Sequence, residues 1–198
     1  MKKWLLFSFL MISAACTFAQ ISKGQWLVGG SGNFNYSKTD VNNFYNDAYI
    51  STTLQLSPGA GYFFLNNLAA GLRVNARFTD NHISEGITYD QQLSLSPFMR
   101  YYFLPQAQKL NLFVDGAYAF GRSRYRFKQP PANGSSSSTT AGKASGYSFS
   151  AGPVIFLNPG TALEFTVNYT KEYGLPDYEN SNRVTIMGGV GLQVHLGN

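Results

Sequence analysis

Residues 25 to 37 read QWLVGGSGNFNYS, and their side chains alternate between two kinds. One side carries Trp26, Val28, Gly30, Gly32, Phe34 and Tyr36, and the other carries Gly29, Ser31, Asn33, Asn35 and Ser37. A period of two residues is that of a β-strand, in which successive side chains point to opposite faces. The stretch therefore predicts a strand with one apolar face and one small, polar face.

The same alternation returns in seven further segments of strand length. They are Ser51 to Phe64, Leu68 to Phe78, Tyr89 to Phe103, Leu110 to Phe120, Tyr147 to Leu157, Leu163 to Tyr169 and Val184 to Leu196. In each segment bulky apolar residues share one face, while Gly, Ser, Thr, Asn and a few charges share the other. The sequence thus predicts an all-β fold of eight strands.

The connections between these strands alternate in length. Those after strands two, four and six are short, whereas the other four are long and polar. The long ones are Lys38 to Tyr49, Thr79 to Ile87, Arg122 to Ser145 and Thr170 to Asn182. Short turns at one end and long loops at the other are typical of an antiparallel up-and-down barrel in a bacterial outer membrane, with the short turns periplasmic and the long loops extracellular.

Composition agrees with a membrane environment that is crossed by strands. Only 13% of the 198 residues are charged, about half the share found in soluble domains. After the N-terminus no apolar run approaches the roughly 18 residues that a membrane-spanning helix requires. A helical membrane protein is therefore excluded. The chain also has too few charged residues to cover the surface of a typical water-soluble domain.

The direction of the two faces follows from volume. A soluble, lipocalin-like barrel would turn its apolar face inward, but an eight-stranded barrel encloses only modest side chains or one small ligand. The many Phe, Tyr and Leu residues do not fit such a lumen, whereas Gly, Ser and Ala do. Aromatic girdles at two rims support lipid outside. The periplasmic girdle includes Trp26, Tyr62 and Tyr101, and the extracellular girdle includes Tyr36, Phe78, Phe120, Tyr147 and Tyr169.

The first 19 residues read as a cleaved signal peptide. Lys2 and Lys3 form a basic start, Trp4 to Ile12 an apolar stretch too short to span, and Thr17-Phe18-Ala19 a cleavage site. The predicted domains are then the signal peptide, 1–19, and the barrel, 20–198. Removing two of 15 basic residues leaves 13 against 10 acidic ones, and this small excess does not indicate nucleic-acid binding. Cys16 leaves a lipoprotein open as an alternative, in which this cysteine would be the first mature residue.

Segments such as Leu56-Ser57-Pro58-Gly59-Ala60-Gly61-Tyr62-Phe63 and the run from Leu95 to Phe103 resemble the strand patterns of the small eight-stranded outer-membrane barrel superfamily, of the OmpA-like and OmpX-like kind. Phe18-Ala19 before Gln20 is similar to signals of Bacteroidota-type bacteria. The resemblance implies a monomer in the outer membrane of a Gram-negative cell. The partners it implies are outer-membrane lipids, lipopolysaccharide, the barrel-assembly machinery and periplasmic chaperones.

Five ionisable residues fall on the inward face. They are Arg73, Arg77, Arg100, Asp115 and Glu164. Charges in a narrow lumen must pair, because an unpaired buried charge is costly. Two interpretations stay open. The charges form a salt-bridged plug that closes the barrel, or they line a narrow polar pore for ions or small solutes.

Strand five ends in a row of cations. From Leu110 to Phe120 every second residue lies on the apolar side of the strand. The next positions on that side are Arg122, Arg124, Arg126 and Lys128, just above the extracellular girdle. Lipopolysaccharide phosphates lie at this level, and arginine binds phosphate through two parallel hydrogen bonds. The alternative is a solvated basic loop, which continues into the flexible segment from Gln129 to Thr140.

Catalysis and metal binding have little support. His82 and Ser84 lie two residues apart, a spacing that resembles lipid A deacylases, but they fall in a predicted polar loop. His195 stands far away, so the two histidines make no metal site. No cofactor is expected. The sequence favours a non-enzymatic barrel with a structural or surface-contact role in envelope integrity or adhesion. A porin-like narrow channel is the alternative, and a lipid A-modifying enzyme is the second alternative.

Overall fold

The structure is a computed structural model that describes residues 21–41, 47–83, 86–105, 108–129, 137–174 and 182–197. Its strands are β1 (Trp26–Val41), β2 (Asp47–Leu65), β3 (Leu68–Ile83), β4 (Gly86–Tyr102), β5 (Leu110–Lys128), β6 (Ser137–Asn158), β7 (Thr161–Tyr173) and β8 (Asn182–Leu196). In these ranges no helix is long and apolar enough to cross a membrane. The predicted signal peptide lies outside the described residues.

The eight strands form one closed barrel. Each pairs antiparallel with the next, and β1 also pairs with β8. Over the height of the β1–β8 pairing, closure removes the free edges of the sheet, which lets a barrel satisfy its backbone hydrogen bonds without water. The predicted fold, eight antiparallel up-and-down strands, is confirmed.

The connections at one end of the barrel are short. Asn66 and Asn67 join β2 to β3, and Pro159 and Gly160 join β6 to β7. Asn67 adopts a left-handed conformation with φ 66°, which asparagine tolerates better than most residues because of its short polar side chain. These tight turns hold neighbouring strands in register at the end that is predicted to be periplasmic.

At the other end the strands run further than their composition indicates. The predicted loops begin at Lys38 and Arg122, yet β1 continues to Val41 and β5 to Lys128. Lys128 still lies opposite Ser137 on β6. Apolar side chains end where the barrel leaves the lipid. The backbone hydrogen bonds between strands do not require apolar side chains. The strand pairing therefore continues beyond the apolar band.

The two faces point as the volume argument predicts. In β4, buried Gln92, Ser94 and Ser96 alternate with exposed Leu93 and Leu95. Leu93 is 60% exposed, and Ile186 on β8 is 69% exposed. A continuous outer face of exposed apolar side chains fits lipid rather than water.

The seam between β1 and β8 is shorter than the pairing of β1 with β2. It runs from Trp26 opposite Leu196 to Gly32 opposite Val190, whereas the β1–β2 ladder continues to Val41. In the described part of the chain, the extracellular half of β1 is thus paired along one side only.

Candidate functional site in the barrel lumen

The periplasmic third of the lumen is filled by apolar side chains, which we call the apolar layer. Its members are Leu27, Phe63, Tyr102, Phe113 and Val154, all buried. The ring centroids of Phe63 and Tyr102 are 5.8 Å apart, and those of Tyr102 and Phe113 are 6.2 Å apart. Aromatic rings at these separations pack without room for water between them. The layer closes the lower end of the barrel.

The chain before β1 adds a cover beneath this layer. Ile21 is buried in the same cluster, and its carbonyl oxygen accepts a hydrogen bond from Asn67 N at 3.3 Å. Gly24 N donates to the carbonyl oxygen of Phe63 at 2.8 Å. These backbone contacts hold residues 21 to 24 across the turn that joins β2 to β3.

A polar relay leads upward from the apolar layer. Tyr102 Oη donates to Gln193 Oε1 at 2.8 Å, and His195 Nε2 lies 3.2 Å from the same oxygen. Because an amide oxygen only accepts, Nε2 carries the proton of this imidazole. Gln193 Nε2 in turn donates to Glu164. The relay links the apolar layer to the charged residues above it.

Four charges form a continuous ion-paired cluster, the middle layer, which consists of Arg73, Arg100, Asp115 and Glu164. Asp115 Oδ2 lies 2.7 Å from Arg73 Nη2 and 3.1 Å from Arg100 Nε. Arg100 Nη1 lies 2.8 Å from Glu164 Oε2. The cluster joins β3, β4, β5 and β7 across the lumen, with two cations balanced by two anions.

Aromatic rings support the two arginines. The guanidinium of Arg73 lies 4.7 Å from the ring centroid of Phe98, and that of Arg100 lies 4.2 Å from the centroid of Phe113. A cation over a ring face is attracted by the negative face of the ring. The inward aromatic residues therefore position the charges as well as filling space.

Glycines make room for these side chains. A Cβ atom at Gly191 would stand 2.5 Å from Glu164 Oε1, and one at Gly71 would stand 2.8 Å from Phe98 Cε1. Neither distance is possible without displacement of a neighbour. Small residues on the inward face thus give the lumen its cross-section, as the alternation predicts.

Above lies the upper layer, which consists of Gln55, Arg77 and Glu172. Arg77 Nη1 lies 2.5 Å from Glu172 Oε2, and Arg77 Nη2 donates to Gln55 Oε1 at 3.1 Å. Nearby, Arg183 Nη1 lies 3.1 Å from Asp90 Oδ2. The structure therefore separates Arg77 from the other four predicted lumen charges.

Sequence reasoning missed Glu172, Asp90 and Arg183 as lumen residues. Glu172 falls in the segment after Tyr169, which the sequence predicts to be a loop. A signal was present, since Glu172 continues the inward parity of Glu164, and β7 reaches Tyr173.

Small cavities remain in the described part of the lumen. One of about 30 Å³ is lined in part by Ser57, Arg73 and Glu164. Another, of about 50 Å³, is lined in part by Asn75 and Arg77. Spaces of this size hold individual water molecules.

The outer face carries the predicted girdle residues. Near the short turns, Trp26 lies edge-on to Tyr62 with a centroid distance of 5.4 Å, and Tyr101 is exposed. Near the other rim, Tyr147 lies 6.4 Å from Tyr169. Tyr36, Phe78 and Phe120 are exposed at that rim.

Two predicted loop sites fall on strands. Arg122, Arg124, Arg126 and Lys128 stand on the exposed, outward face of β5, so the interpretation as a basic loop is wrong in its geometry. His82 lies on β3 with an exposed side chain, because the ladder with β4 extends past it to Ile83. Ser84 lies outside the described residues.

The described part of the chain contains no group of three His, Cys, Asp or Glu side chains that could hold a metal ion. His195 is instead buried against aromatic rings, with its centroid 5.7 Å from that of Phe63 and 5.4 Å from that of Phe156.

A closed barrel with an apolar exterior and a charged, filled interior defines a transmembrane β-barrel. The family model of the outer membrane protein beta-barrel domain matches residues 5–193. The chain belongs to this family, which places it in the outer membrane. No curated protein matches its sequence.

A solved structure agrees at the level of fold. The chain is similar to the outer membrane protein OprG from Pseudomonas aeruginosa, with a TM-score of 0.51 and 14% identity over 92% of this chain and 100% of that one. It is also similar to Neisserial surface protein A, with a TM-score of 0.48 and 17% identity over 87% of this chain and 97% of that one. Origin in a Bacteroidota-type bacterium stays a prediction.

Proposed function

We propose that the protein is a sealed outer-membrane barrel with a structural and surface-contact role, and that it is neither a channel nor an enzyme. The observation that carries this proposal is the presence of three layers in series within one lumen. The apolar layer, the middle layer and the upper layer each span the barrel with side chains in mutual contact. A hydrated ion would have to pass all three.

The strongest barrier is the apolar layer. Phe63 and Tyr102 are 0% exposed and Phe113 is 1% exposed, so their packed rings leave no open path for a passing ion. The middle layer adds paired charges that already satisfy one another. Opening it would separate the paired charges and leave each one buried without its partner, which costs several kcal/mol.

Planar-bilayer recording tests the proposal. The refolded barrel should give no discrete current steps above the bare-membrane baseline in molar KCl. Folding is verified on the same preparation by the heat-dependent shift in gel mobility that folded barrels show. A steady, reproducible single-channel current from the wild-type protein would overturn the sealed-barrel proposal and favour the narrow channel.

The proposal also excludes lipid A modification. The two cross-strand partners of His82 are Ile50 and Ile87, and neither carries an acid or base that could orient its ring. Mass spectrometry of lipid A from a deletion strain should therefore match that of the parent strain. A change in acyl-chain number that is restored by the wild-type gene but not by the His82→Ala variant would refute this part of the proposal.

A further inference from the structure

The outward face of β5 and β6 near the extracellular rim carries five cations. Arg122, Arg124, Arg126 and Lys128 follow one another on β5, and all are exposed. Lys143 on β6 is also exposed and lies directly opposite Arg122. We call these five residues the cationic face.

Among the described residues, none of the five forms an ion pair with a carboxylate. Arg122 and Lys143 occupy directly opposed positions, and like charges in such a pair destabilise a sheet. An anion between them would turn this repulsion into two charge-assisted hydrogen bonds.

A groove runs along the cationic face. Its volume is about 290 Å³, and its lining consists of Tyr89, Gln91, Arg124, Arg126 and Lys128. Lys128 Nζ lies 5.3 Å from the ring centroid of Tyr89. This cation–π contact holds the Lys128 and Tyr89 side chains together in the lining of the groove. The Gln91 amide adds a neutral hydrogen-bonding group of the kind that suits sugar hydroxyls.

The membrane level of this groove follows from the strand register. Phe120 of the extracellular girdle lies opposite Leu95, and Arg122 follows two residues later on the same face. Aromatic girdles mark the boundary between hydrocarbon and headgroups. The cationic face therefore begins at the level of the outer-leaflet headgroups.

A second, apolar groove lies deeper on the same side of the barrel. Its volume is about 360 Å³, and its lining includes Ala70, Pro97, Met99, Gly116 and Phe149. Gly116 stands between Met99 on β4 and Phe149 on β6. Its missing side chain creates the depression between its two larger neighbours.

The distance from the start of the cationic face to the apolar groove matches one lipid leaflet. Gly116 and Arg122 are six residues apart, which is about 20 Å along a strand. For strands tilted by about 40°, this corresponds to roughly 15 Å of depth, half of a hydrocarbon core of about 30 Å. An acyl chain that follows the tilt of β5 down from a headgroup at Arg122 would thus reach the apolar groove.

We propose that this side of the barrel binds one phosphorylated glycolipid of the outer leaflet, of the lipid A type. Its phosphate lies between Arg122, Arg124 and Lys143, and its sugar contacts Gln91. One acyl chain extends down to the depression at Gly116. The inference goes beyond the sealed lumen and does not depend on it, because every residue involved faces outward.

Native mass spectrometry of the protein in detergent micelles, titrated with bis-phosphorylated lipid A, tests the headgroup half of the site. Arg122→Gln/Arg124→Gln should weaken binding by about tenfold or more, since two charge-assisted contacts are lost. The matched control is Lys23→Gln/Lys109→Gln, which removes the same charge at the periplasmic end and should bind as the wild type does. Dephosphorylated lipid A should bind both double variants equally.

Gly116→Leu tests the acyl half, because a Cβ at this position meets only the Phe149 ring, at 3.6 Å, and so has room. Filling the depression should weaken lipid A binding a few-fold. Gly188→Leu, which changes an outward position on β8 away from the groove, should not weaken it. A heat-shift assay establishes that each variant is folded. Unchanged affinity in the arginine variant, an equal loss in the lysine control, or equally tight binding of phosphatidylglycerol would overturn the proposal.

Discussion

At the scale of single residues, Asp115 is the centre of the lumen charges. It is the only described carboxylate that pairs with both Arg73 and Arg100, and its side chain is fully buried. Desolvation of three charged groups is costly, and their mutual attraction offsets that cost only while all three are present. The loss of Asp115 would leave two arginines close together without a shared anion.

The substitution Asp115→Asn should therefore destabilise the folded barrel by about 3–5 kcal/mol, at almost constant side-chain volume. Thermal unfolding in detergent, followed by circular dichroism or by gel mobility, measures the change. Asp80→Asn is the matched control, since it makes the same chemical change on an exposed position of β3. Equal melting temperatures for the two variants would contradict a stabilising middle layer.

Gly191 offers a steric test of the same cluster. In Gly191→Ala the new Cβ would stand 2.5 Å from Glu164 Oε1, so Glu164 must move away from Arg100. We expect a loss of about 1–3 kcal/mol, as for other overpacked interiors. Gly188→Ala on the same strand meets only Thr166 O, at 3.9 Å, and should melt within a degree or two of the wild type. A Gly191→Ala barrel as stable as Gly188→Ala would show that Glu164 is not held in place.

At the scale of strands, alternation predicts which residues face inward but not where a strand ends. Asn75, Arg77 and Asp115 point inward as their parity requires, because a period of two assigns every position once the lipid side is known. Strand ends depend on backbone pairing, which polar residues such as Lys128 and Glu172 support as well as apolar ones. Consequently Arg73, Arg77, Arg100, Asp115 and Glu164 are foreseeable as lumen residues, whereas Glu172, the partner of Arg77, is placed in the lumen only once β7 is known to reach Tyr173.

The apolar layer was hidden for a different reason. Phe63, Tyr102 and Phe113 occupy inward positions in the sequence, but a volume argument for the whole lumen favours small residues everywhere. The average cross-section of a lumen does not show where along the axis a few large rings fit. Locating these rings requires the register of non-neighbouring strands, which a single sequence does not contain.

The short β1–β8 seam leads to a prediction about strand dynamics. Amides of β1 above Gly32 should exchange with deuterium faster than those of β5 between Arg122 and Lys128, because the latter strand is paired on both sides to its end. Local opening controls such exchange. Hydrogen exchange with peptide-level mass spectrometry measures both segments in one sample. Equal protection would indicate that the seam is closed over its full height.

At the scale of the whole molecule, the three layers act as resistances in series, so opening one should not create a pore. Three variants open one layer each: Phe63→Ala/Phe113→Ala, Arg100→Ala/Glu164→Ala, and Arg77→Ala/Glu172→Ala. The last two remove a cation and an anion together, which avoids a net buried charge.

Each of these variants should remain at baseline current in planar bilayers, while the variant that combines all six substitutions should conduct. The reason is that a continuous water path requires space at every level of the lumen, and each single variant leaves two layers intact. Heat-dependent gel mobility selects preparations that are folded, and a double substitution of outward residues, Leu93→Ala/Ile186→Ala, controls for general loosening of the barrel. A steady current from any one single-layer variant, with the outward control silent, would mean that this layer alone closes the lumen and that the other two are not barriers.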